Sequence, residues 1–373
     1  MSRLPLLSTV GLRRPPVSVL MATHNCAPFL GEAVQSLLHQ TFEDFELIII
    51  DDASTDETPC LLRRFQDMDP RVRCERNERN RRLGPSLNRG LRLCRCDLVA
   101  RADADDVFSR QRLEKQVAFM NGRPEVGVLS AVEAVVDEQG KFIRFKPTLT
   151  EDDEIRFYHM FTHAMSHTAV IYRRELVEKV GEYDESFATG PEDYDLYARL
   201  LHVTRFANLP EALVQYRVRA GSDEQAPYPW RQRMKNQIAA RQLGRFLGRE
   251  VSESEAGALW ELYHGYSRMP SGGVRLAIGL VEELRFEATK EGRTKVLERF
   301  DRDMGEAIAK QAVFQTYADR AISRELFTMA LRLSPAQALR ARAWMQVARL
   351  CSPPSIRSFF SWRGRSKSAV AAV

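Results

Sequence analysis

Three short apolar runs near the start of the chain each stop abruptly at polar side chains, and this pattern constrains the fold more than any other feature. VSVLMA (Val17 to Ala22) runs into THN, FELIII (Phe45 to Ile50) into DDASTDET, and DLVARA (Asp97 to Ala102) into DADD. Near-continuous apolar runs of about six residues suit strands buried on both faces, as in a parallel sheet covered by helices. Between them, Phe29, Leu30, Ala33, Val34, Leu37 and Leu38 recur at helical spacing, and Leu61, Leu62 and Phe65 carry a second helix. Ser54, Thr55 and Asp56 offer caps for that second helix, VRCER gives another short strand, and SLNRGLRLC a third helix. The alternation predicts an α/β fold with a mostly parallel, Rossmann-like sheet flanked by helices over residues 16–110.

In an open α/β sheet, ligands bind outside the carboxyl ends of the strands. His24–Asn25, Asp51–Asp52 and Asp103–Asp105–Asp106 fall at three such ends. Positions far apart in sequence are therefore expected to meet at one site.

After Arg112 the pattern predicts a helix (Leu113, Val117, Phe119, Met120), the strand VGVLSAVEAVV and a strand entering a helix in SHTAVIYRREL. A helix opened by PEDYDLYARLL follows, then a last strand, RFANLPEALVQYRVR, ending near Arg219. From about residue 226 the chain reads as helical throughout, with a helical hairpin broken at Ser334–Pro335. The expected division is an N-terminal arm (1–15), an α/β domain (16–225, with halves 16–110 and 111–225), a helical C-terminal region (226–350) and a tail (351–373).

With 44% hydrophobic and 28% charged residues, the chain is expected to be a soluble globular protein with a substantial core. No apolar run approaches the roughly 18 residues of a membrane span. MSRLPLLSTVGLRRPP lacks the length and cleavage site of a secretory signal, so a cytoplasmic location is expected. Cys26, Cys60, Cys74, Cys94, Cys96 and Cys351 show no paired spacing and read as free thiols.

The net charge of +5 is unevenly placed. From residue 326 there are eight basic residues and no acid, leaving 47 basic against 50 acidic residues elsewhere. A local excess of this kind points to a local partner and away from nucleic acid. Arg357, Phe359, Phe360, Trp362, Arg363, Arg365 and Lys367 interleave cations with aromatics. Such a segment suits either a disordered, solvated tail or an anionic membrane surface, each cation there contributing on the order of 1 kcal/mol; the second reading would give a peripheral place at the inner face of the cell membrane.

Asp103, Ala104 and Asp105 form a DxD. In an extended segment, side chains two apart share a face, so both carboxylates can reach one hard divalent cation, which takes one or two protein carboxylates and completes its shell with phosphates. Of Asp51 and Asp52, one suits a helix cap and the other a hydrogen bond to a base edge or ribose hydroxyl. His24 reads equally as a satisfied buried histidine or as a ring stacked on a base. Glu192–Asp193 opens a helix, where acids favour the dipole, yet an aspartate there could also act as a general base.

VSVLMATHN, QTFEDFELIIIDDASTDET, NRRLGPSLNRGL, ARADADD with RLEKQ, and PEDYDLYARL occur in this order over roughly residues 16 to 220. Together they resemble the inverting glycosyltransferases of family 2, which have the GT-A fold. The resemblance implies a nucleotide-binding half (16–110) and an acceptor half (111–225). It implies Ala22 and His24 against the nucleotide base, Asp52 bonded to it, and Asn88 in a stretch bordering the nucleotide. It also implies Asp103 near ribose or metal, Asp105 on Mg²⁺ or Mn²⁺, and Asp193 as catalytic base. The implied reaction moves one sugar from a nucleoside-diphosphate sugar, UDP-linked, to a glycan or lipid-linked acceptor in surface polysaccharide synthesis. Where many relatives have a histidine after the late YR, this chain has Arg219, which cannot ligate a cation but suits the departing diphosphate. The QxxRW motif of processive synthases is absent, which favours single-sugar transfer.

Other classes fit less well. A nucleotidyltransferase needs a glycine-rich phosphate loop, which LMATHNCAPF does not provide, and a response-regulator-like module ends near 120 residues. A non-catalytic sugar-nucleotide sensor would keep every donor-binding residue and differ only in lacking transfer.

Overall fold

The computed structural model describes residues 16–187, 190–219, 229–265, 267–315 and 319–341. Two compact units divide them: one formed by the chain up to Asp152 together with Met165–Arg219, the other by Asp153–Ala164 together with the chain after Arg219.

The first unit is an α/β sheet. Its strands are β1 (Val17–Thr23), β2 (Phe45–Asp51), β3 (Val72–Arg76), β4 (Leu98–Asp103), β5 (Val107–Phe108), β6 (Val126–Val136), β7 (Phe142–Phe145), β8 (Ile171–Arg173) and β9 (Arg205–Arg217). They lie in the order β3-β2-β1-β4-β8-β6-β9-β5, with β7 paired to β6. β3, β2, β1 and β4 run parallel. Beyond β4 the sheet is mixed: β8 is antiparallel to β4 and β6, while β6 and β9 are parallel.

Every residue of β1 and β2 is buried, because helices cover both faces. On one face Val17, Val19, Met21, Leu47 and Ile49 join a core with Leu30, Val34 and Leu37 of α1 (Ala27–Leu38), Leu62 and Phe65 of α2 (Thr58–Met68), and Leu113 and Val117 of α4 (Arg112–Gly122). Each such side chain contributes about 1.5–3 kcal/mol when fully buried. The alternate residues Leu20 and Ile50 point to the opposite face, towards α3 (Leu83–Leu93). α3 starts three residues earlier than SLNRGLRLC suggested, and Pro85 sits in its first turn, where a missing N–H costs nothing. The helix then approaches closely at Gly90, where a Cβ would stand 2.2 Å from Leu20 Cδ1 and 3.1 Å from Ile50 Cγ1.

The remaining elements of this unit are α6 (Arg174–Lys179) and α7 (Glu192–Leu200). The second unit is helical: α8 (Pro229–Leu247), α9 (Glu253–His264), α10 (Ser271–Lys290), α11 (Thr294–Gln315) and α12 (Arg320–Leu333). Ser252 and Glu255 form a reciprocal capping box that starts α9, and Asp319 accepts from the first N–H groups of α12. α12 stops at Ser334, where the hairpin break was expected; residues 342–373, including the basic-aromatic tail and Cys351, lie outside the described residues. No helix among the described residues is long and apolar enough to cross a membrane.

The chain passes to the helical unit after Arg219, and an earlier segment also belongs with that unit. Most of α5 (Asp152–His159) and the residues to 164 belong with the helical unit. The reason is an aromatic cluster: the Phe157 ring lies 5.1 Å from Phe300 and 5.7 Å from Phe246, and Phe161 lies 5.4 Å from Tyr263, centroid to centroid. Aromatic pairs at such distances add about 0.5–1.5 kcal/mol each beyond their burial.

The close approach of α3 gives a test. Gly90→Ala should lower stability by about 1–3 kcal/mol through overpacking, although alanine favours a helix. An unchanged urea midpoint, followed by circular dichroism, would show that the helix does not bear on Leu20.

Candidate active site

Three strand ends lie level because β1 pairs in register with both neighbours. Ala22 stands between Ile50 of β2 and Asp103 of β4, and Thr23 stands opposite Asp51. Here the strand order reverses, with β2 and β3 on one side of β1 and β4 on the other. Connections leaving in opposite directions open a crevice at this point.

His24 is exposed at the rim, with Nδ1 2.8 Å from the carbonyl oxygen of Asp52. A carbonyl only accepts, so Nδ1 carries the proton, and Nε2 accepts from the Asn25 amide at 3.3 Å. Asn25 adopts a left-handed φ of 49°, and its side-chain oxygen accepts from the Thr55 N–H at 2.8 Å. The Cys26 and Ala27 N–H groups, at the start of α1, donate to Thr58 Oγ1 and Asp56 Oδ2. Thus α1 takes its caps from the neighbouring loop; its own N-cap residue is Cys26, which makes no side-chain cap.

The two aspartates at the end of β2 divide their work differently from expectation. Neither caps α2. Asp51 Oδ1 accepts from Ser54 N at 2.9 Å, and Oδ2 pairs with Arg76 at 3.3 Å. The Thr58 N–H that opens α2 is met by Asp56 Oδ1 at 3.0 Å. Asp52 is buried and takes three donors: Asn77 Nδ2 (2.7 Å) and Arg81 N (2.8 Å) on Oδ1, and Arg82 N (2.8 Å) on Oδ2. A carboxylate offers about four lone-pair sites, so Asp52 keeps capacity for one further donor while fixing the residues before α3.

That fixed segment leads towards Asp193. Gly84, two residues after Arg82, lies so close to α7 that a Cβ on it would stand 3.9 Å from Glu192 Cβ and 3.7 Å from Tyr183 Cβ. Asp193 is the second residue of α7, half-buried, with Oδ1 accepting from Tyr194 N at 2.8 Å. The buried phenols of Tyr183 and Tyr197 are both pushed up, mainly by burial; Asp193 adds to the shift and Arg101 opposes it. The helix bearing Asp193 and the strand bearing the DxD therefore act on the same two side chains.

Asn88, expected in a stretch that borders the nucleotide, is held within the protein. It is buried, its Nδ2 donates to Tyr183 O (2.9 Å) and Glu185 Oε1 (3.2 Å), and its Oδ1 accepts from Tyr183 N (3.0 Å). The amide is occupied by the protein and secures the 183–185 loop.

Within the DxD, Asp103 Oδ1 pairs with Arg101, whose side chain is fully buried, and Asp103 N donates to Thr168 Oγ1 at 3.3 Å. Asp105 Oδ2 accepts from Arg219 Nε at 2.8 Å. The Asp105 carboxyl is raised from its ordinary value by burial and by Asp103, against the pull of Arg219. Asp106 lies deeper, pushed well up by burial and both neighbouring aspartates, and its Oδ1 accepts from Arg217 N at 2.9 Å. Arg217 ties this loop together: it also donates to Asp105 O (2.9 Å), Glu138 O (2.8 Å) and Glu32 Oε2 (2.6 Å).

Among the described residues, no cluster of three or more His, Cys, Asp or Glu side chains is arranged to hold a metal ion. The DxD supplies two carboxylates, each paired here with an arginine. That is the number of protein ligands a hard cation such as Mg²⁺ uses when substrate phosphates and water fill the rest of its shell, so the donor set fits a cation carried with a diphosphate.

Ala22, His24, Asp52 and Asp103 thus stand at three neighbouring strand ends, Asp105 pairs with Arg219 just past β4, and Asp193 lies on the helix that Gly84 of α3 approaches. The residues overlooked in the sequence are Arg101, Arg217 and Asn77. Arg101 had a signal, a cation inside an otherwise apolar strand, and Arg217 stands in the late YR; Asn77 had none.

Residues 18–181 match the family model described as Glycosyl transferase family 2. The amylovoran biosynthesis glycosyltransferase AmsE of Erwinia amylovora is 33% identical over 196 residues, covering 52% of this chain and 71% of that protein. The chain belongs to glycosyltransferase family 2. It is an enzyme of that family with a GT-A-like fold and a helical C-terminal region. Two solved structures share the fold. S. aureus TarS 1–349 in complex with UDP-GlcNAc has a TM-score of 0.54 at 18% identity, over 85% of this chain and 91% of that one. The mannosyltransferase PcManGT of Pyrobaculum calidifontis, in complex with GDP-Man and Mn²⁺, has a TM-score of 0.50 at 18% identity, over 89% and 88%.

The surroundings of Cys26 make the geometry testable in this family 2 enzyme. Its thiol is pushed up to about 12 by burial first and then by Asp105, whereas Cys60 is exposed. Iodoacetamide at pH 8 should label Cys60 rapidly and leave Cys26 intact, since the thiolate is the reactive form. Equal labelling of the two, read by mass spectrometry, would contradict the burial of Cys26.

Proposed function

We propose that this glycosyltransferase transfers a single sugar from a nucleoside-diphosphate sugar, UDP-linked, to a hydroxyl of a glycan or lipid-linked acceptor, with inversion at the anomeric carbon. The observation that supports the reading is the level register of β2, β1 and β4, which sets the strand ends before Asp52 and at Asp103 on either side of Ala22. AmsE, named for amylovoran biosynthesis, supports a role in surface polysaccharide synthesis, and the UDP-GlcNAc and GDP-Man complexes support a nucleotide-sugar donor.

Ala22 and His24 flank the nucleotide base, and the remaining acceptor site of Asp52 takes a base N–H. Asp105 and Asp103 would hold a Mn²⁺ or Mg²⁺ ion, which when bound would supply positive charge against the diphosphate. Arg219 faces the same diphosphate from the end of β9. Asn88 acts on the donor only through the 183–185 loop.

Asp193 accepts the proton of the incoming hydroxyl while that oxygen attacks the anomeric carbon, and the carbon–oxygen bond to the diphosphate breaks with its electron pair on the leaving oxygen. Attack on the face opposite the leaving group turns an α-linked donor into a β-linked product. The 16–110 half serves the nucleotide and the 111–225 part of the chain the acceptor. The basic-aromatic tail, outside the described residues, brings the enzyme to the inner face of the membrane where a lipid-linked acceptor would lie.

Asp193→Asn should bind donor as the parent does in calorimetry yet lose transfer by about 100- to 10,000-fold, the usual share of a general base. Asp105→Ala should lose the cation-dependent part of nucleotide binding. Unchanged turnover in Asp193→Asn removes that residue from the mechanism, and a product whose anomeric configuration by NMR matches the donor rules out inversion.

A further inference from the structure

Both DxD carboxylates are neutralised from within the protein, but by arginines of very different mobility. Arg101, paired to Asp103, has a side chain 0% exposed, rising from the centre of β4. Its own carbonyl is held by Arg112 Nη2 at 2.7 Å, and the Arg112 side chain is itself fully buried. Arg101 cannot turn away without opening the core. Arg219, paired to Asp105, has a side chain 29% exposed and stands two residues past the last residue of β9. It lies over the Phe29 ring at 5.8 Å, beside Arg217, which holds the same ring at 5.3 Å.

We infer that Arg219 is an exchangeable internal countercharge for Asp105: it occupies the carboxylate in the donor-free enzyme and yields it when a divalent cation arrives with a diphosphate. This rests on the proposed function and adds to it an order of events and a division between the two aspartates. A cation arriving alone must break the Arg219–Asp105 pair without bringing an anion in exchange. A cation arriving with a diphosphate brings that anion, since phosphate oxygens suit the planar fork of arginine. Cation and nucleotide binding are therefore positively coupled through Arg219, and coupling of this kind is reciprocal. Asp103, tied to an arginine that cannot leave, stays a fixed partner, and Asp105 is the carboxylate released for the ion. The exchange involves no covalent change; one ion pair is replaced by two.

The test is Mn²⁺ binding to the full chain, followed by electron paramagnetic resonance without nucleotide and then with UDP or GDP. Arg219→Gln removes the countercharge with little change of shape, and Arg219→Lys keeps a cation as a control. Without nucleotide, Arg219→Gln should bind Mn²⁺ about tenfold more tightly than the parent, in the range typical of coupled sites, and Arg219→Lys should stay near the parent. With nucleotide present, the advantage of the Gln variant should vanish or reverse. Equal nucleotide-free affinity of the parent and Arg219→Gln, with Asp105→Ala losing the ion in both backgrounds, overturns the inference and leaves the proposed function standing. No Mn²⁺ binding by any of these proteins, with or without nucleotide, overturns the cation reading and the inference together.

Discussion

The parallel pairing of β1 with β4, from Val17 opposite Leu98 to Ala22 opposite Asp103, is the constraint on which the site depends. Because β1 also pairs in register with β2, one strand sets the height at which both neighbours end. A slip of one residue would turn Leu20 and Met21 to the wrong faces and carry Asp103 out of line with Asp51 and His24. The apolar side chains that make the register costly to change are those that pack α1, α2 and α3 on the two faces. Core packing and site geometry are in this sense one problem.

Five aspartates at neighbouring strand ends would repel one another unless the protein answered each. Three kinds of answer are visible. Asp52 is held by N–H dipoles from Asn77, Arg81 and Arg82, a neutral arrangement that orders the loop before α3. Asp51, Asp103 and Asp105 each meet a guanidinium, from Arg76, Arg101 and Arg219. Asp106 is buried beside two other carboxylates, and its carboxyl is pushed well up. A fully buried arginine such as Arg101 is costly to desolvate, and removing its partner would leave an uncompensated charge, so Asp103 and Arg101 hold each other in place.

Much of this was legible in the sequence, for identifiable reasons. β1, β2, β3, β4, β6 and α7 follow from local signals: unbroken apolar runs, β-branched residues, and acids in a first helical turn. The placing of His24, Asp52 and Asp103 at one crevice followed from the rule that strand ends converge where an α/β sheet reverses its order. What the sequence could not show are interactions between distant positions that leave no local mark. Asn88 looks polar and available in NRRLGPSLNRGL, yet its amide is committed to Tyr183, 95 residues away. Residues 153–164 read as part of the α/β domain because nothing in FYHMF reveals that Phe157 and Phe161 pack on Phe246, Tyr263 and Phe300. Arg219 was conspicuous only as a departure from a pattern, and its partner Asp105 emerged from the fold.

The central claim is that segments far apart in sequence form one nucleotide-diphosphate site at the ends of β1, β2 and β4. Hydrogen exchange of the full chain, read by mass spectrometry with and without UDP or GDP plus Mn²⁺, tests it most directly. Exchange should slow together in peptides spanning residues 22–27, 51–56, 79–84 and 103–106. Slowing confined to one of these segments, or to regions outside all of them, would contradict it.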